Sequence, residues 1–140
     1  MGNRASLLVS VGIILRSGRV LVGQRGEADK HALKWEFPGG KVELGESPRQ
    51  ALVRELREEL QIDATIGAEL ARYRYEYASG NEVLLLFFVV RNFLGQPNGR
   101  VYKQICWTGL ENLGTLNFLE GDVEFVQRLA RGDFQQQLEA

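Results

Sequence analysis

Apolar residues along the chain recur with two periods. Leu7 to Leu15 is a nearly unbroken apolar run, Ser17-Gly18 is a turn signal, and Arg19 to Gln24 returns, which predicts two strands. Gln24 to Lys34 is polar and reads as a loop. Trp35 to Phe37 alternates, as a short strand with one exposed face does. From Ala51 to Leu60 every residue except Val53 is a strong helix former. Val53, Leu56 and Leu60 share one side of that helix, and Glu55, Glu58 and Glu59 share another. Its start is legible: Ser47 is an N-cap, Pro48 takes the first helical position, and Gln50 completes a capping box. Ala64 to Ala68 reads as a connector. Glu69 to Tyr77 alternates, with Tyr73, Tyr75 and Tyr77 on one face and Arg72, Arg74 and Glu76 on the other. After a turn at Ala78 to Asn81, Glu82 to Val90 is continuously apolar, as a central strand covered on both faces is. Gly95 to Gly99 is a loop, and Lys103 to Thr108 a last strand. Leu119 to Leu129 is expected as a closing helix, with Val123, Val126 and Leu129 at core spacing, and the tail from Gly132 is expected to fray.

Strands before and after a central helix, with a second helix at the end, predict an α+β domain: a mixed β-sheet between helical layers, spanning 1–140. A formal charge of −1 supplies no global basic field, so neither a nucleic-acid polymer nor an anionic membrane is an expected partner. The longest apolar run, Val83 to Val90, is far too short to span a bilayer. Met1-Gly2 with Ser6 formally fits a myristoylation pattern, which is short and weakly discriminating. One cysteine permits no internal disulfide, and one histidine leaves no Cys/His zinc set, so a reducing, cytoplasmic setting is expected. Cys106, inside a strand, is expected to be buried, and His31, alone in a loop, to be a surface residue.

The acidic helix face carries the candidate chemistry. Three carboxylates at helical spacing repel one another, and a hard divalent cation reverses that penalty. Mg²⁺ typically takes one or two carboxylates together with substrate phosphates, which implies a phosphorylated substrate. The plainer alternative is a solvated helix face, with Arg54 and Glu58 as an ordinary ion pair one turn apart. The loop ahead weighs against it, because Gly39, Gly40 and Gly45 allow backbone to approach a ligand closely.

Gly40, Glu46, Arg54, Glu55, Leu56, Glu58, Glu59 and Ile62 match the box Gly-x5-Glu-x7-Arg-Glu-U-x-Glu-Glu-x-Gly-U, with U apolar, of the Nudix hydrolases, over residues 40–62. Gln61 stands where the box has glycine, so the helix C-cap departs from the pattern. The lead-in WEFPGG at Trp35 to Gly40 resembles the MutT-type branch, the nucleoside triphosphate pyrophosphohydrolases. That resemblance implies an α/β/α sandwich and a Mg²⁺-dependent reaction, with Mn²⁺ able to substitute, that converts a nucleoside triphosphate, such as 8-oxo-dGTP, to monophosphate and pyrophosphate. It assigns metal binding to Gly39, Glu46, Glu55, Glu58 and Glu59, and catalysis to Glu55 as base, Arg54 as its orienter, and Glu58. It places Arg25, Phe37, Gly40, Lys41 and Asn117 at the substrate, although most strand aromatics such as Phe37 are core. Hydrolysis of ADP-ribose, NADH or another nucleoside diphosphate derivative is the enzymatic alternative, and a non-catalytic nucleotide-binding module the other. The partner is a nucleotide, and the chain a monomer or homodimer.

Two further departures are visible. The pattern's further acidic ligand falls on or near Val101, which cannot coordinate, leaving Glu82 or Glu76 as substitutes. The asparagine that reads the base just before the last helix aligns with Gly121, which has no side chain.

Overall fold

The computed structural model describes residues 7–139; Met1, Gly2 and Ser6, which carry the lipidation pattern, lie outside them. Strands β1 (Leu7–Arg16), β2 (Arg19–Gln24), β3 (Trp35–Glu36) and β4 (Gly39–Lys41) precede helix α1 (Pro48–Leu60). Strands β5 (Asp63–Thr65), β6 (Glu69–Glu76), β7 (Glu82–Val90), β8 (Asn92–Leu94) and β9 (Gln104–Gly109) follow. A 3-10 helix (Leu110–Thr115), α2 (Val123–Ala130) and α3 (Gln135–Glu139) close the chain. The main sheet runs β3-β2-β1-β7-β6, with β4 also on β1 and β9 also on β2. β1 and β7 pair in parallel from Leu7 opposite Val83 to Ile14 opposite Val90, while every other strand pair is antiparallel, so the sheet is mixed.

Alternation along β7 makes the sandwich. Leu86, Phe88 and Val90 join Leu52, Leu56 and Leu60 of α1 on one face. Val83, Leu85 and Phe87 join Phe125, Val126 and Leu129 of α2 on the other. The second face is aromatic: Phe87 stacks on Phe125 at 3.9 Å between ring centroids, and Phe37, Phe118 and Phe134 ring the pair. The capping box at Ser47 and Gln50 forms as the sequence predicts. The buried Ser10 hydroxyl donates to Pro48 O at 2.7 Å, tying the first turn of α1 to β1.

Four expectations are corrected. The buried stripe of α1 runs through Leu52 rather than Val53, because the helix leans on its Ala51–Leu52 side. Part of the 64–68 connector belongs to β5, which pairs with β8 in a separate two-stranded sheet. Cys106 is exposed: Ile105 and Trp107 pack with the α1 layer, and Cys106, between them, projects from the opposite face of β9. The tail does not simply fray; Phe134 is buried, and Arg91 Nη2 donates to Gln137 O at 2.7 Å.

Candidate active site

The glycine loop and the first turns of α1 bring the box residues together through Arg54. Its guanidinium donates to both oxygens of Glu46 at 2.7 and 2.9 Å, to Glu55 Oε1 at 2.9 Å, to Glu58 Oε2 at 3.4 Å and to Lys41 O at 3.0 Å. Each donor thus meets an oxygen, and the loop is fastened to the helix it precedes. The Arg54 guanidinium and the Glu43 N–H hold the Glu46 carboxyl down at about 2. Gly40 is needed for this closeness, because a Cβ there would collide with the Glu55 carboxyl.

Glu55 and Glu59 are set into the protein, while Glu58 is exposed. Burial raises the Glu55 pKa, against the pull of Arg54. Burial, then the neighbouring Glu36 carboxylate, push Glu59 up to about 8, although it accepts the Gly39 N–H at 3.0 Å. Crowded carboxylates of this kind are relieved by a cation. Among the described residues no three acidic, histidine or cysteine side chains already converge as a cation cage. Arg54 draws Glu46, Glu55 and Glu58 to itself instead.

The other predicted residues are spread around this centre. Arg25 donates to Glu36 Oε1 at 2.6 Å and to Asp29 at 2.7 Å, and its buried Nε has no partner. Lys41 is exposed on the loop. Phe37 lies in the core against Phe87, Phe118 and Phe125. Asn117 Oδ1 accepts from Lys34 Nζ at 3.0 Å. His31 is exposed, its ring stacked on Tyr77. Of the candidate substitute acids, Glu82 pairs with Arg74 at 3.6 Å and stands opposite Glu76 across the β6–β7 hairpin.

Three residues escaped sequence reasoning. Glu36 is joined by Arg25 on one oxygen and by the Tyr102 hydroxyl on the other, at 3.2 Å. That hydroxyl also faces Glu59 Oε1 at 3.4 Å; burial and the two carboxylates hold its pKa well above the ordinary range, so it keeps its proton. Asp122 is buried and pushed up to about 8, by burial first and then by Glu36. It follows Gly121, whose missing side chain leaves room for Leu85 and Tyr75. Only the alternation of Trp35 to Phe37 hinted at Glu36, and only its place beside Gly121 pointed to Asp122; nothing in the pattern marked Tyr102.

A surface recess of about 560 Å³ lies elsewhere, between Arg57, Asp63, Arg91 and Leu94, and contains none of the box carboxylates. No helix among the described residues is long and apolar enough to cross a membrane.

Comparison with known proteins identifies the family. Residues 6–129 match the NUDIX domain family. The chain is 44% identical over 119 residues to a CTP pyrophosphohydrolase of Escherichia coli K12, covering 85% of this chain and 87% of that protein. It is 37% identical over 123 residues to an 8-oxo-dGTP diphosphatase of Haemophilus influenzae, covering 86% and 89%. The solution structure of the E. coli ORF135 protein superposes with a TM-score of 0.85 at 36% identity, covering 96% of this chain and 94% of that one. With a family model that matches most of its length and relatives above 30% identity on an α/β/α sandwich, the chain belongs to the NUDIX family, as a hydrolase of its MutT-type branch.

Proposed function

We propose that the protein is a divalent-cation-dependent nucleoside triphosphate pyrophosphohydrolase, releasing the monophosphate and pyrophosphate. The observation that carries this reading is the Arg54 clamp, which ties Glu46 of the loop to Glu55 and Glu58 on the helix face that also carries Glu59. Glu55, Glu58, Glu59 and the Gly39 carbonyl offer only oxygen donors, a chemistry that suits Mg²⁺ or Mn²⁺, and a cation would draw Glu55 and Glu58 from Arg54 to itself. A bound cation would supply charge neutralisation on the phosphates and polarisation of phosphorus. Glu46, with both oxygens on Arg54, supports that set by fixing the arginine. Glu55, oriented by Arg54 and with a raised pKa, suits removal of a proton from the attacking water. Arg25 and Lys41 offer positive charge on the substrate side.

Asp122 bears on the base. A protonated carboxyl donates and accepts at once, as a neutral amide does. It can therefore serve the N3/N4 edge of cytosine, or the O6/N7–H edge of 8-oxoguanine, in place of the side chain absent at Gly121. Glu36, an acceptor, favours a base with an exocyclic amine. The names of the relatives point to the same two bases. We place cytidine triphosphates first and 8-oxo-dGTP second.

The test is a panel of CTP, dCTP, 8-oxo-dGTP, dGTP, ADP-ribose and NADH with product identification. EDTA should abolish turnover, and Mg²⁺ or Mn²⁺, but not the larger Ca²⁺, should restore it. Triphosphates should give pyrophosphate, and the kcat/KM ratio of 8-oxo-dGTP over dGTP should stay below about 10³. Full activity in EDTA, or preference for ADP-ribose, would overturn the reading.

A further inference from the structure

Arg25, Glu36, Tyr102, Glu59 and the Gly39 amide form one continuous hydrogen-bonded chain. Arg25 donates to one oxygen of Glu36, and the Tyr102 hydroxyl faces the other at 3.2 Å and Glu59 Oε1 at 3.4 Å. Glu59 Oε1 in turn accepts the Gly39 N–H at 3.0 Å. A phenol carries a single proton, so it can donate to only one of the two carboxylates at a time. Both distances are long for O–H···O bonds, as expected for a hydroxyl standing between two acceptors.

The ring cannot turn away to choose. It lies flat on β2 at Gly23, where a Cβ would stand 2.6 Å from two ring carbons. Its backbone N–H is tied to Gly99 O at 2.9 Å, and its ring packs with the α1 layer. Only rotation of the O–H is free. Val101, the preceding residue, is exposed, so the turn that lacks an acid at 101 delivers a hydroxyl from 102 instead.

We propose that Tyr102 is a positioning residue whose hydroxyl is shared between Glu59 and Glu36, coupling cation binding at Glu59 to the Glu36 carboxylate and, through it, to Arg25. When Glu59 is committed to a cation, the hydroxyl proton serves Glu36 alone and fixes it toward Arg25. By linkage, whatever fixes Glu36 changes the affinity for the cation equally. The inference rests on the cation-dependent reading above and adds a residue to it.

The test is a double-mutant cycle on Mn²⁺ affinity without nucleotide, read from the electron paramagnetic resonance of free Mn²⁺. It uses the wild type, Tyr102→Phe, Glu36→Gln and the double variant. Tyr102→Phe keeps the ring that fills the space over Gly23, so melting temperatures should stay close to wild type. The two effects on Kd should fail to multiply, with the double variant departing from their product by about threefold or more. If Mn²⁺ binds and the effects multiply, or Tyr102→Phe leaves Kd unchanged, the coupling is refuted while the cation reading stands. If the wild type binds no Mn²⁺, both fall together.

Discussion

At Arg54 one guanidinium hydrogen-bonds to three carboxylates, and what those carboxylates do separates chemistry from surface. Glu58→Gln keeps the side chain's size and removes a negative charge from the acidic face, so kcat should fall by roughly 10³-fold or more. Arg57→Gln is the control, because Arg57 is exposed and spent on Asp63 at 2.6 Å, away from that face. It should change kcat less than about threefold, and equal damage from the two would sink the assignment. Asp122 makes a second prediction at this scale. It binds its proton more tightly folded than unfolded, since burial raises it from 3.8 to about 8. That contribution to stability is fully present below the unfolded value and is lost as pH rises through the folded one. Asp122→Asn, which cannot ionise, should gain melting temperature relative to wild type between about pH 5 and about pH 9. A difference independent of pH would show that Asp122 ionises freely in the folded protein.

At the scale of elements, α1 forms where its sequence says, and its end is the informative part. The box glycine is replaced by Gln61, yet the residue still adopts the left-handed conformation, φ 59° and ψ 37°, and its N–H still reaches Arg57 O at 3.0 Å. The cap is thus held at a steric cost that glycine does not have. Gln61→Gly should stabilise the protein by about 1 kcal/mol, read as a higher urea midpoint at unchanged slope; a lower midpoint would mean that the glutamine side chain makes up for the strain. Strands β5 and β8 were not visible in the pattern because they are three residues each and satisfy only one another. Alternation over three residues has no period to detect. The 3-10 helix at Leu110–Thr115 leaves no apolar stripe to read for a different reason: of its six residues only Leu113 is fully buried.

At the scale of the whole molecule, two cores on opposite faces of one sheet hold α1 and its carboxylates in register with the glycine loop. The aromatic core on the far face is the larger lever on stability, because Phe125 stacks on Phe87 and touches Phe37 and Phe134. Phe125→Ala should cost about 3–5 kcal/mol. It should leave Mn²⁺ affinity nearly unchanged where the variant remains folded, because the ring lies across the sheet from α1. A large loss of Mn²⁺ affinity with little loss of stability would show that the far core shapes the acidic face directly.

The sequence by itself determined the box, the capped helix with its acidic face, the alternating β6 and the doubly buried β7. Each of these is written in neighbouring residues through spacing, propensity or capping. Only the tertiary structure decided that β1 and β7 run parallel, which no local period encodes, because both strands read as apolar runs in either direction. It also decided that Cys106 faces outward, since burial depends on whether a helix covers that part of the sheet. The meeting of Glu36 with Tyr102, 66 residues apart, and of Tyr102 with Glu59, 43 apart, was settled the same way. Hydrogen bonds between such distant residues leave no trace in a hydrophobic pattern. The burial that raises the Asp122 pKa exists only in the folded protein.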